Sequence, residues 1–70
     1  MEIIESETNL ASINITRDEL LIINAALNEV CNGIEVFEFE TRIGVDKACA
    51  LGILGEVGRL LDRMDACLNS

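Results

Sequence analysis

The sequence contains no histidine, tryptophan, tyrosine or proline. Histidine is the side chain whose unperturbed pKa lies nearest neutral pH, so its absence excludes Ser-His-Asp and Cys-His catalytic pairs and the common mixed zinc sites. No stretch approaches the ~20 apolar residues of a bilayer-spanning helix. The opening Met-Glu-Ile-Ile-Glu lacks the basic flank of a secretory signal. We therefore expect no membrane association, no metal and no cofactor.

Cysteine is present, but in no recognised ligand pattern. Cys31, Cys49 and Cys67 follow one another at intervals of 18 residues, and no two form a C-x-x-C pair. We interpret all three as small buried hydrophobic residues. An odd number of cysteines without a secretory signal favours a reducing, cytoplasmic setting. Nothing places an acid beside a base in a cleft, so we expect no catalytic residue and no enzymatic activity.

Positive charge is scarce and unevenly placed. The chain has 13 acidic and 5 basic residues, a net charge of −8. Residues 1–40 hold nine acids and one base, Arg17, whereas residues 41–70 hold four of each. A surface of this sign repels phosphate backbones and attracts basic protein surfaces. We expect a basic protein partner and no direct nucleic-acid binding; plain solubility is the competing explanation.

The apolar pattern predicts a mainly α fold in a single domain spanning residues 1–70. We expect a small domain with two principal helices, a short middle element and a short extended N-terminal segment. The predicted elements are an extended arm over 1–15, a helix over 16–33, a short helix or strand over 34–44 and a long helix over 46–68. The extended arm contains two apolar pieces around a Glu7-Thr8-Asn9 turn. If these pair as a hairpin, they would have to lie on the helices, because an isolated hairpin is weak.

The first helix has a clear start and a predicted end. Thr16 and Glu19 form a capping box, in which each side chain can accept a hydrogen bond from the other residue's amide. Gly33 is the expected left-handed C-terminal cap. The residues at helical spacing that should face the core are Leu20, Ile23, Leu27, Val30 and Cys31. The further apolar residues Leu21, Ile22, Ala25 and Ala26 widen this face, so the helix needs cover on two sides.

The last helix carries three patterns after its expected N-cap, Asp46. The first is an apolar seam at spacings of 3, 4, 3 and 4: Leu54, Val57, Leu61, Met64 and Leu68. The second is a stripe that recurs every seven residues: Ile53, Leu60 and Cys67. The third is a ridge of small residues: Ala48, Gly52 and Gly55. Core packing, a crossing over the first helix and a kink at the glycines are the intramolecular explanations.

The surplus of apolar helix surface also predicts self-association, most simply as a homodimer. The residues we assign to that interface are Ala48, Gly52, Gly55, Leu54 and Leu61.

Residues 34–44 are ambiguous. Phe37 and Phe39 alternate with Glu38 and Glu40, as in a strand, whereas the spacing of Val36, Phe39 and Ile43 favours a short helix ending at Gly44. We favour the helix. A phenylalanine between carboxylates can anchor a basic partner and imitate a track of phosphates. The predicted partner-binding residues are therefore Glu35, Phe37, Glu38 and Glu40, with core packing of the phenylalanines as the alternative.

The stretch from Glu40 to Ala48 resembles a helix-turn-helix motif, with Ile43-Gly44-Val45 at the turn and Asp46 as the cap. A recognition helix starting at Asp46 would offer Lys47 to phosphate, and no arginine, asparagine or glutamine up to Val57 to read bases. DNA binding is therefore the minor alternative. The segments 24–34 and 39–45 also resemble a pattern in short helical proteins of bacteria and phages; this implies a compact helical fold and a bacterial or phage origin, and no activity.

These patterns favour a small acidic protein-interaction module, such as an inhibitor, immunity protein or antitoxin that acts on a basic, nucleic-acid-handling protein. The alternative is a self-associating structural protein without an inhibitory role.

Overall fold

The computed structural model describes residues 1–68, and the Leu68 side chain of the predicted seam lies outside the described part. The elements in chain order are β1 (Glu2–Ser6), β2 (Ala11–Asn14), α1 (Arg17–Asn28), a π-helical turn (Glu29–Gly33), α2 (Phe39–Ile43) and α3 (Lys47–Leu68). The predicted mainly α fold with two principal helices, a short middle element and an extended N-terminal segment is confirmed.

The extended segment is an antiparallel hairpin with two different faces. Ile3 lies opposite Ile13 and Glu2 opposite Asn14, with an irregularity at Ile4. Asn14 Nδ2 donates a hydrogen bond to Glu2 Oε1 at 3.0 Å on the polar face. Because side chains alternate along a strand, Ile3 and Ile13 share the other face.

This hairpin does not lie on the helices, so that expectation is wrong. Every residue of β1 and β2 is exposed. The Met1 ammonium donates a hydrogen bond to the Glu19 carboxylate in the first turn of α1. That contact attaches the hairpin at the end of α1 and not along its apolar side, which leaves both faces of the strands in solvent.

The capping box at the start of α1 is confirmed. The Glu19 amide donates to Thr16 Oγ1 at 3.2 Å, and the Thr16 amide donates to Glu19 Oε1 at 3.0 Å. Two of the orphan amides at the helix N-terminus are thereby satisfied. The capping box also fixes the Glu19 carboxylate where the Met1 ammonium reaches it.

A pH-dependent stability should follow from this arrangement. The pKa of Glu19 is lowered from 4.5 to about 2 by the hydrogen bond from the Met1 ammonium and then by those from the Thr16 backbone and hydroxyl. As the pH falls, the unfolded chain therefore takes up this proton before the folded chain does. The stabilisation is complete above pH 4.5, declines from there to about pH 2 and is lost below it.

Urea unfolding of the parent and of Glu19→Gln at several pH values checks this expectation. The parent should be the more stable of the two at neutral pH, and the gap should close as the pH approaches 2. A gap that stays constant down to that pH would contradict the assigned role of Glu19.

The end of α1 differs from the prediction. Gly33 does not act as a left-handed cap, because the last turn widens and the Ile34 amide donates to the Glu29 carbonyl at 2.9 Å. That bond closes the helix end without any residue at positive φ. The left-handed glycine is instead Gly44, at φ 96°, whose amide donates to the Glu40 carbonyl at 2.8 Å and ends α2.

The core lies between α1 and α3. Its buried hydrophobic residues are Leu20, Cys31, Ala50 and Leu61. Leu54, Val57 and Met64 are half-buried on the same side of α3, so the predicted seam is used for packing within the chain.

Asp46 caps α3 as expected, since the Cys49 amide donates to its Oδ1 at 2.7 Å. Arg17, the first residue of α1, donates two hydrogen bonds to Asp65 Oδ1, from Nε at 3.0 Å and from Nη2 at 2.6 Å. This pair links the start of α1 to the last turns of α3.

The chain hides less surface than its mass predicts. Its accessible surface is 5563 Å², whereas a folded monomer of 7.7 kDa exposes roughly 4,300 Å². Its radius of gyration is 13.9 Å, against about 11 Å for a compact domain of 70 residues. The excess of about 1,200 Å² exceeds the ~800 Å² that one partner contributes to a standard interface.

The glycines of α3 do not form a close crossing with α1. A Cβ atom added at Gly52 or Gly58 would meet nothing within 4 Å, and one at Gly55 would meet the Arg59 side chain at 3.6 Å. The crossing expected from the small-residue ridge is therefore not formed within the chain.

Gly52→Ala and Gly58→Ala should each raise the free energy of unfolding by ~1 kcal/mol, because alanine favours the helix and fits the open space. Gly44→Ala is the matched control. At φ 96° alanine is strained, so that variant should lose stability. Urea unfolding measures all three, and a loss of stability in Gly52→Ala and Gly58→Ala would show that something already occupies the space beside α3.

Candidate protein-interaction surface

The segment that follows the π-helical turn and includes the first two residues of α2 brings the predicted partner-binding residues together. We call residues 35–40 the acidic loop. Glu35, Glu38 and Glu40 are exposed, and Phe37 stands among them with 75% of its surface accessible. No other large hydrophobic residue in the described part of the chain is more exposed. The core alternative is therefore wrong for Phe37.

The backbone of the acidic loop explains why its two phenylalanines differ. Glu38 adopts a left-handed conformation, φ 53° and ψ 52°, and it is the residue that starts α2. Its carbonyl accepts a hydrogen bond from the Arg42 amide at 3.1 Å. Phe37 lies in the turn before this reversal and is exposed, whereas Phe39 opens α2 and is half-buried. The short helix is thus confirmed over Phe39–Ile43, and the strand alternative is wrong.

The left-handed Glu38 is an uncommon feature. Residues other than glycine seldom adopt positive φ, and such strain costs of the order of 1 kcal/mol or more. It is the one position of this kind in the described residues 1–68. The strained residue separates the exposed Phe37 from the half-buried Phe39.

The charge of the acidic half is not offset by its single basic side chain. Arg17 donates both of its hydrogen bonds to Asp65, which lies on α3. Among the described residues the ion pairs are Met1–Glu19 and Arg17–Asp65, so the carboxylates of the acidic loop are not paired within the chain and remain available to a partner's lysines and arginines.

A second exposed apolar area lies on α1, on the side away from α3. Ile22 is 70% exposed and Leu21 is 40% exposed. Asp18 and Glu29 stand four residues before and seven residues after Ile22, which places both acids on its side of the helix. This outer face of α1 is thus apolar in the middle and negative at both ends.

The predicted self-association residues do not form one surface. Ala48 and Gly52 are exposed, and Gly55 is half-buried. Leu61 is buried at 7% exposure and Leu54 is half-buried, both on the side of α3 that packs on α1. Leu54 and Leu61 are therefore used inside the chain, since they lie on the line of α3 that packs on α1.

The cysteines are only partly as expected. Cys31 is buried at 1% exposure, as predicted. Cys49 and Cys67 are exposed, so the prediction of burial is wrong for both. An interval of 18 residues is five full helical turns, which sets these two on one side of α3, about a quarter turn from Ala50 and Leu61. Ile53 and Leu60 lie on this same side and are 49% and 43% exposed.

The connection between α2 and α3 has the order of a helix-turn-helix, with Gly44 at positive φ and Asp46 as the cap. However, α2 has only five residues. The expectation that this chain does not bind DNA stays a prediction.

The described residues contain no group of three or more acidic, cysteine or histidine side chains that could hold a metal ion. None of the helices described is both long and apolar enough to cross a membrane.

An open concavity of about 130 Å³ lies at the hairpin turn, lined by Glu5, Glu7 and Leu10 with Ala11 and Ser12. It is smaller than the ~300–1,000 Å³ of usual small-molecule sites.

Comparison of the chain with protein-family models, with curated proteins and with solved structures gave no significant match.

Sequence reasoning missed the apolar face of the hairpin, where Ile3 is 72% and Ile13 is 42% exposed. The signal lies in the register: pairing Glu2 with Asn14 and Glu5 with Ser12 puts these four polar residues on one face, whereas Ser6 and Ala11 share the other face with Ile3 and Ile13. The one-residue irregularity at Ile4 interrupts the alternation of polar and apolar residues in β1. The sequence alone therefore did not indicate that Ile3 and Ile13 share a face.

Proposed function

We propose that this protein is a small, non-enzymatic interaction module that binds a basic protein surface through the acidic loop. The observation that carries the proposal is Phe37, which is 75% exposed among three exposed carboxylates. An exposed ring makes few packing contacts with the core, so it adds little to the stability of the fold. It gains binding energy when a partner covers it.

The chemistry of the acidic loop sets the chemistry of the partner. Glu35, Glu38 and Glu40 would pair with lysine or arginine side chains arranged around an apolar pocket that receives Phe37. Proteins that handle nucleic acids present basic surfaces of this kind to phosphates. We therefore propose an inhibitor, immunity protein or antitoxin that occupies such a surface by imitating a nucleic acid.

The rest of the molecule supports this partner class. The outer face of α1 has acids at both ends of its apolar centre, and the hairpin carries Glu2, Glu5 and Glu7. All three exposed areas have the same sign of charge. Long-range attraction would speed encounter with a basic partner, and its effect would fall with added salt.

We also propose that the protein acts in the reducing cytoplasm of a bacterium or of a phage-infected cell. The exposure of Cys49 favours this setting, because an exposed thiol in an oxidising compartment would be open to disulfide formation.

A capture experiment with a charge-matched control tests the proposed binding mode. Three immobilised baits are compared in a bacterial lysate: the parent, the triple variant Glu35→Gln, Glu38→Gln, Glu40→Gln, and the control Glu2→Gln, Glu5→Gln, Glu7→Gln. Both variants lose three negative charges, so they differ only in where the charges are lost.

We expect the parent and the control to retain the same basic protein, and the triple variant of the acidic loop to lose it. Retention should also weaken as salt is raised. Equal capture by the two variants would remove the acidic loop from the binding mode. Capture of only acidic or neutral proteins would contradict the electrostatic part of the proposal.

A further inference from the structure

One exposed area of the chain has a different charge pattern from the rest. On α3, Ile53 and Leu60 lie on one side at 49% and 43% exposure, with Glu56 and Arg63 exposed beside them. We call these four residues the α3 stripe. Successive members are three or four residues apart, so they follow one line along the helix. The stripe is adjacent to the core side of α3 and separate from the acidic loop.

The α3 stripe carries one charge of each sign. Glu56 and Arg63 are seven residues apart, which is about 10.5 Å along a helix axis, so they do not reach each other within α3. Leu60 lies between them. The outer face of α1 and the hairpin lack this balance, because Asp18 and Glu29 border the first and the second carries Glu2, Glu5 and Glu7.

We propose that the α3 stripe binds the α3 stripe of a second copy of this chain in antiparallel orientation. A two-fold axis near Leu60 brings Glu56 of each copy to Arg63 of the other, and it places the two Leu60 side chains together. The contact then has an apolar centre with an ion pair on each side. A parallel arrangement would instead bring Glu56 to Glu56 and Arg63 to Arg63, which is repulsive.

Charge favours a second copy on the α3 stripe and opposes one on the outer face of α1. Two copies joined through the outer face of α1 would bring Asp18 and Glu29 against the same acids of the partner copy. On the hairpin, Glu2 and Glu5 lie on the face opposite Ile3 and Ile13, so charge does not oppose a contact through its apolar face. Of the two exposed helix faces, the α3 stripe is thus the one whose charges are compatible with a second copy.

The exposed surface of the whole chain, of which the α3 stripe is one part, leaves room for a second copy. The chain exposes about 1,200 Å² more than a monomer of its mass, and a standard interface takes ~800 Å² from each partner. The dimer interface differs from the set assigned from the sequence. It uses the exposed stripe at 53 and 60 and not Leu54 and Leu61, which pack on α1. It also leaves the acidic loop of both copies available for a basic partner.

The first arm of the test is the mass of the full chain by sedimentation equilibrium from about 10 μM to about 1 mM, a range that detects dissociation constants near those limits. We expect a reversible monomer–dimer equilibrium. A monomer mass that persists to the highest concentration would overturn the proposal.

The second arm is a charge-swap cycle. Glu56→Arg and Arg63→Glu should each raise the dissociation constant of the dimer ~10-fold, since each variant replaces two attractive pairs with two repulsive ones. The double variant should return the constant to within ~3-fold of the parent, because the pairs are restored with reversed sign. If neither single variant changes the dissociation constant of the dimer, the α3 stripe is not the interface.

A pair of isoleucine variants tests the same interface if one of the charge-swap variants does not fold. Ile53→Gln and Ile22→Gln make the same chemical change at 49% and 70% exposed positions, on the α3 stripe and on the outer face of α1. Only Ile53→Gln should weaken the dimer. Equal effects, or a larger effect of Ile22→Gln, would overturn the proposal. Circular dichroism of each variant confirms that the helices are retained.

Discussion

Replacing Leu61 with alanine is expected to leave most of the chain unfolded. Leu61 is 7% exposed and is one of four buried hydrophobic residues in the described part of the molecule. Truncation of a buried leucine costs ~2–5 kcal/mol. A single core in a domain of fewer than about 70–80 residues rarely supplies more than ~3–5 kcal/mol in total. The loss of one side chain therefore approaches the whole stability of the fold.

Leu60→Ala is the matched control, because it removes the same atoms one position away from a residue that is 43% exposed. Urea unfolding followed by circular dichroism, at a concentration where the chain is monomeric, should show a loss below ~1 kcal/mol for this variant. If Leu60→Ala and Leu61→Ala lose equal stability, the helix pair does not pack through the seam that the structure shows.

Phe37→Ala is expected to abolish most of the affinity for the basic partner while leaving the fold intact. A central aromatic anchor contributes ~2 kcal/mol or more to an interface, so the dissociation constant should rise ~30-fold or more. The ring is 75% exposed in the free chain, so the free energy of unfolding should change by no more than ~0.5 kcal/mol.

Phe39→Ala should give the opposite result. Phe39 is half-buried at the start of α2, so its removal should lower the stability and leave the affinity of the remaining folded protein nearly unchanged. Titration calorimetry with the captured partner, together with urea unfolding, separates the two effects. If Phe37→Ala lowers stability as much as Phe39→Ala, the ring belongs to the fold and the proposed anchor is wrong.

Local signals in the sequence predicted the starts of the helices well. The capping box of Thr16 and Glu19 and the cap at Asp46 are short-range patterns, in which a few adjacent residues satisfy their own hydrogen bonds. The end of α1 was not predicted, because either a left-handed glycine or a widened turn can close a helix.

The exposed surface was harder to predict than the elements. The seam through Leu61 was identified, but which apolar line of α3 would face α1 could not be derived from periodicity, since two lines compete. The acidic loop was predicted as a group, and its exposure depends on the reversed backbone at Glu38, for which the residue type gives no signal. The burial expected for Cys49 and Cys67 was wrong for the same reason, because they lie on the line that was left uncovered.

Like-charge repulsion suggests a division of the molecule between two kinds of partner. The first 40 residues hold all of the excess negative charge, and residues 41–70 are balanced. We therefore propose that residues 1–40 bind the basic protein, whereas the α3 stripe binds a second copy of the chain.

The heat capacity change on unfolding tests the central claim most directly, namely that the chain alone hides too little apolar surface. Exposure of apolar area raises this quantity, and an ordinary domain of 70 residues gives roughly 0.8–1.1 kcal/mol/K. Calorimetry at a concentration where the chain is monomeric should give a value clearly below that range. A value within the range or above it would mean that the monomer in solution already encloses a full core, and that its exposed helix faces do not need a partner.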